Sequence, residues 1–191
     1  DDADENRRQH DHFIAEWILL STRGLDPFRS ESAEAAFDRD PDARADALIG
    51  TIRDRCKRLG LDETLVPTAV RIVATEALGD ASLHRKHKRH DHARAVARRL
   101  VTIGTRLVHE YPSVADSYWV LCQARDQEKK NAYESRDREL EQKSLILAIE
   151  AAERDVALDS QRLDSLHQLA KLTAQLSSLR AEPQTAKATS R

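Results

Sequence analysis

Methionine is absent from all 191 residues, even from position 1. That favours a processed chain or a domain cut from a longer protein, whose targeting segment would lie elsewhere. Aromatic residues make up 4% of the chain, and glycine and proline number five each. With so few breakers and so much Ala, Leu, Arg and Glu, helix is favoured over strand, because these side chains lose little freedom on a helix. No glycine-rich phosphate loop is present, and no catalytic arrangement stands out. A signal-peptide core and an apolar run of transmembrane length are both missing.

Cysteine is scarce. Cys56 and Cys122 fall on apolar helical faces, which suits reduced core thiols better than a disulfide framework, with a single bridge between them as the alternative. Arg53, Arg55 and Lys57 would lower the pKa of an exposed Cys56, but its place on an apolar stripe argues against exposure. Neither sign of charge prevails. A net charge of −2 and a pI near 6.5 make no general case for nucleic acid or acidic lipid.

What the chain does have is an internal repeat. An offset of 48 residues carries Ile52 to Leu100 and on to Ala148. The same offset aligns Leu48, Val96 and Ser144, and then Cys56, Gly104 and Ala152, a position that stays small. A small residue at a fixed place on a helix lets a neighbouring backbone come close. In the following helix Val70, Tyr118 and Leu166 align, as do Val73, Leu121 and Leu169, and Ala74, Cys122 and Ala170. Each unit is a helix, a break and a second helix, so stacked neighbours bury a shared core.

Patterning predicts helices over residues 10–22, 40–59, 91–109, 138–158 and 161–180, and two more, one opening at Asp62 or Glu63 with a face through Val70, Val73 and Ala77 and one opening near Ser113. A short helical piece follows Ser32. Asp40-Pro41 is a sound start, since the carboxylate caps free amides and proline has none to lose. The polar stretch from Arg125 to Arg138 reads as a solvated helix end or a long turn. Leu163, Leu166, Leu169, Leu172 and Leu176 line the final helix. Residues 1–9 and 181–191 read as disordered segments around a single domain at 10–180.

Ala93–Cys122, with Tyr111-Pro112 followed by Tyr118-Trp119-Val120-Leu121, and Ser144–Leu172, with Val156-Ala157-Leu158-Asp159, resemble tetratricopeptide (TPR) repeats. The likeness is to the long-helix arrays attached to bacterial Ser/Thr protein kinases and related signalling proteins. It covers roughly residues 64 to 180. It implies an all-α fold of antiparallel helical hairpins stacked as a right-handed array, about seven helices in all, and a protein-binding role. The usual TPR period is about 34 residues. The longer period here asks for longer helices or expanded turns, and the glycine that follows Leu78 has no counterpart after Leu121 or Leu169.

In such an array the first helix of each unit lines the groove. The offset puts Arg71, Trp119 and His167 in equivalent positions there, with Arg85 and Arg89 at one rim. That set would suit a protein or peptide partner carrying an acidic group. The alternative is three ordinary surface or half-buried residues. Trp119 is either an exposed interface anchor or a second core contact beside Tyr118. Asp80, His84 and His87 would share one helical face and could ligate zinc, with His90 or Asp91 completing the shell; a solvated, charged helix end is the plainer reading. Arg85, Lys86, Lys88, Arg89, Arg94, Arg98 and Arg99 could neutralise phosphates, but no aromatic is interleaved for base stacking, so nucleic acid is disfavoured.

The sequence therefore favours a non-enzymatic interaction module or scaffold without a cofactor. A cytoplasmic setting is favoured over an extracytoplasmic domain of a membrane-tethered protein. A His-rich metal- or nucleic-acid-binding helical domain is the main alternative. A helical hydrolase with a ring of buried carboxylates ranks third.

Overall fold

Asp40 starts the first long helix as its sequence predicts: its carboxylate accepts from the Ala43 amide at 3.3 Å, and Pro41 stands in the first turn. The computed structural model describes residues 31–181. Among them are seven helices and no strand: α1 (Glu31–Arg39), α2 (Pro41–Arg58), α3 (Leu65–Lys86), α4 (His90–Glu110), α5 (Ala115–Ser135), α6 (Arg138–Leu158) and α7 (Leu163–Ala181). The helix expected over residues 10–22 and the segment 1–9 lie outside the described residues, as does the tail after Ala181. The short piece expected after Ser32 is α1, which seats Phe37 in the core and presents Asp38 to both Nε and Nη2 of Arg99 at 2.9 and 2.8 Å.

Turns occur where the backbone can reverse. Gly60 takes a φ of 66° after α2, and Lys88 and Arg136 take 60° and 59° after α3 and α5. Each helix packs on the next one in the chain, and in addition α2 packs on α4 and α3 on α5. This is an all-α helical array with antiparallel neighbours, the architecture the repeat implies.

The repeat holds in three dimensions. Leu48, Val96 and Ser144, then Ile52, Leu100 and Ala148, then Cys56, Gly104 and Ala152 are all buried, one set on each of α2, α4 and α6. Their partner helices differ. Val70, Val73 and Ala74 of α3 are buried, whereas Leu166 and Ala170 of α7 are exposed and Leu169 is half-buried. The row of five leucines expected to line α7 is therefore split. Leu172 is buried, Leu169 and Leu176 are half-buried, and Leu163 is 79% exposed. The physical reason is that, among the described residues, α6 is the only helix against which α7 packs extensively.

α5 corrects a second expectation. It runs unbroken to Ser135, so Arg125 to Ala132 is neither a turn nor a solvated end, and only Tyr133 to Ser135 are exposed as expected. Asp126, Gln127, Lys129, Asn131 and Ala132 are buried. Three of these polar side chains meet partners: Lys129 donates to Asp126 and Gln175, and the Asn131 amide donates to the Ala93 carbonyl at 3.2 Å, whereas the buried Gln127 Nε2 meets none. α5 separates two cores. Val120 and Ala124 join the core shared by α1 to α4, and Cys122 joins Leu145, Ala148, Ala152 and Leu172. Both cysteines are free and buried, and burial pushes the Cys56 thiol up and the Cys122 thiol to about 12.

Candidate functional site

Along α3, α5 and α7 the structure builds two neighbouring features. The N-terminal halves of these helices meet in a polar seam, and their C-terminal halves border an open cleft.

The seam starts from Arg71. Its Nη1 donates to Asp116 Oδ1 at 3.0 Å and its Nη2 to Asp164 Oδ2 at 3.1 Å. The guanidinium lies over the Trp119 ring, 4.7 Å from its centroid, where the negative face of the ring attracts it. Arg162, in the turn before α7, reaches Asp116 at 2.9 Å, Asp155 at 3.2 Å and Asp159 at 3.4 Å. The Ser165 hydroxyl donates to the other Asp155 oxygen at 2.6 Å. Burial pushes the Asp155 carboxyl up to about 6, against the Ser165 hydrogen bond and the Arg162 charge, with Asp116 adding to the rise. Four carboxylates in one place would suit acid–base chemistry if they were free. Here each of them faces a guanidinium, so the seam acts as a strut that ties α3, α5, α6 and α7 together.

Two of the three residues in the expected groove row are thus brought together, Arg71 and Trp119. Trp119 is half-buried against the core with the cation above it, so it is neither a free anchor nor a plain core residue. His167 is exposed on α7, three residues beyond Asp164. The buried partners Asp116, Asp155 and Arg162 were not singled out from sequence. One signal for them was present: Asp155 continues the stripe of Ala148 and Ala152, and a charge on a core stripe asks for a partner.

The cleft, of about 500 Å³, lies at the other end. Ala174 and Leu179 of α7 give it an apolar wall, with Leu145 of α6 fully buried beneath them. Arg85, Lys130, Tyr133, Glu134 and Glu141 stand around them. Tyr133 is 71% exposed. Lys129 and Lys130 both pair with Asp126, and although burial would raise that carboxyl, the two cations hold it at about 2. Arg85, expected at the rim of the groove of Arg71, Trp119 and His167, borders this other feature instead.

Arg89 lies elsewhere. It borders a shallow depression with Asp80, Leu83, His84 and His87. α3 ends at Lys86, so His87 has left the helix on which it was expected to share a face with Asp80 and His84. The His84 ring meets the His92 ring at 4.6 Å, joining the end of α3 to the start of α4. Among the described residues no three His, Cys, Asp or Glu side chains converge as a metal-ligand set.

Comparison with protein-family models, with curated proteins and with solved structures finds no match for this chain. Among the described residues no helix is long and apolar enough to cross a membrane.

Proposed function

We propose that this is a TPR-like interaction module whose cleft between α5 and α7 holds a segment of a partner protein. The observation that carries the reading is the cleft itself: Ala174 and Leu179 beside Arg85 and the exposed ring of Tyr133, with Lys130, Glu134 and Glu141 around them. An exposed aromatic and an apolar wall with charges of both signs around them suit a short amphipathic segment of a partner. Arg71 and Trp119 serve this reading indirectly, by fixing α3, α5 and α7 relative to one another. A place in a larger bacterial signalling protein is part of the proposal on the strength of the sequence resemblance alone.

The test compares wild type with Arg85→Glu/Tyr133→Ala as baits in a pull-down from the source proteome, with Arg44→Glu on α2 as a surface control. Wild type and the control should enrich a common partner that the double variant loses while its helical circular dichroism is unchanged. Equal capture by all three folded baits would defeat the cleft as the partner site.

A further inference from the structure

α1 is lightly held. Of its side chains from Glu34 to Arg39, Phe37 alone is buried. Ala35, Asp38 and Arg39 are exposed, and Glu34 and Ala36 are half-buried. Asp40 alone links it to α2. Its nine residues fall short of the roughly 12–15 that an isolated helix needs in water, so α1 is a helix only while it is seated. Opening of so short and sparsely buried an element costs far less than unfolding the array.

The seat itself is built by other helices. Arg99 of α4 is 3% exposed, and a guanidinium at that depth needs carboxylates, because a buried charge left unpaired is costly. Among the described residues, both carboxylates that pair with it belong to α1. Nη1 lies 3.2 Å from Glu34 Oε2, and Nε and Nη2 donate to Asp38 at 2.9 and 2.8 Å. His92 stands 3.9 Å from the same Glu34 oxygen. Phe37 enters the core to which Leu48, Ile52 and Leu100 belong. A hollow of about 290 Å³, bordered by Phe37, Asp38, Pro41, Arg98, Arg99 and Thr102, opens the edge of this seat. What the seat takes is therefore visible in its occupant: a carboxylate, an aromatic three positions on and a second carboxylate next to it, on one helical face. We infer that the α1 seat is a docking site for a helix-forming segment of a partner protein with that acidic-x-x-aromatic-acidic pattern, and that α1 is its resident, displaceable occupant. The seat shares no lining residue with the cleft between α5 and α7, so it stands or falls apart from the reading of that cleft.

The experiment uses the full 191-residue chain and a synthetic peptide of residues 31–40, ESAEAAFDRD. Phe37→Ala in the chain empties the apolar part of the seat. Asp38→Lys, at a side chain 50% exposed, loosens α1 without touching the core. Titrations followed by NMR at the Arg99 Nε–H should show the peptide binding both variants at least about tenfold more tightly than wild type, in which α1 leaves few seats open. A peptide carrying Glu34→Ala, Phe37→Ala and Asp38→Ala should bind none of the three. Hydrogen exchange on wild type needs no substitution: the amides of Ala35 to Arg39 should exchange at least about tenfold faster than those around Leu100 on α4. Amides of α1 as protected as those of α4 would overturn the inference. So would a peptide that binds no variant, binds wild type as tightly as the variants, or binds equally well without its two carboxylates and aromatic.

Discussion

Gly104 of α4 lies against the backbone of α5 at Leu121: a Cβ built on Gly104 would sit 2.9 Å from the Leu121 Cα and 3.0 Å from its nitrogen. The two helices approach this closely because the repeat keeps the position small. Nothing flexible lies there to give way, since the first obstacle is main chain.

Gly104→Ala is therefore expected to lower the melting temperature although alanine is the better helix former by about 1 kcal/mol. Gly104→Leu should cost more, about 1–3 kcal/mol from overpacking. Gly79, exposed in the middle of α3 with nothing within 4 Å of its Cβ position, is the control. Gly79→Ala should stabilise by about 0.5–1 kcal/mol. Thermal melts of the three variants decide the matter, and stabilisation by Gly104→Ala would refute the close approach.

Acid stability should carry two opposite signatures. Asp126, held at about 2 in the fold against a reference value of 3.8, contributes stability that is present above pH 4 and lost as the pH falls toward 2. Asp155, raised to about 6, does the reverse: the fold holds its proton more tightly, so its contribution is present below pH 4 and lost as the pH rises through 6. Each is worth up to about 1–3 kcal/mol. In melts run from pH 2 to 8, Asp126→Asn should flatten the low-pH limb alone. Asp155→Asn should flatten the slope between pH 4 and 6 alone. An Asp155→Asn profile parallel to wild type across that window would mean the carboxyl titrates normally.

Arg162→Met should be far more damaging than the loss of an exposed cation. It would leave the Asp116 and Asp155 carboxylates, 5% and 2% exposed, without their shared guanidinium. Asp116 keeps Arg71 and Asp155 keeps the Ser165 hydroxyl, so the expected loss is about 1–3 kcal/mol. Arg106 also bridges two carboxylates, Asp42 and Asp46, but those side chains are 72% and 50% exposed. Arg106→Met should cost less than about 1 kcal/mol. Urea midpoints measure both, and equal effects would show that the seam is solvated.

The helices were legible where a cap or a breaker stands beside a one-faced stripe. α2 begins at Pro41, behind its Asp40 cap, and ends at Arg58, just before Gly60, and α6 occupies residues 138–158 as its pattern indicates. α5 was not legible beyond Arg125. A helix covered on several sides carries no polar stripe, and the polar residues in its second half read as solvated when their partners, Gln175 on α7 and the Ala93 carbonyl on α4, are far away in sequence. The cleft was not legible. Arg85 was expected at the rim of another groove, and Leu145, Ala174 and Leu179 look in the sequence like any core residues of their helices.

By itself, then, the sequence determined that this chain is helical, how long its unit is, and which faces of α2, α4 and α6 turn inward. Those properties depend on the spacing of apolar residues within about twenty positions, and each helix carries that spacing on its own. Only the tertiary structure decided which charges are buried and which apolar residues are left outside. Asp155 is held because Arg162 and Ser165 return to it across a turn, and Leu163 is exposed because, among the described residues, α7 packs extensively on α6 alone. Both are facts about neighbours, and a neighbour's presence or absence in space is not written in the local pattern of either partner.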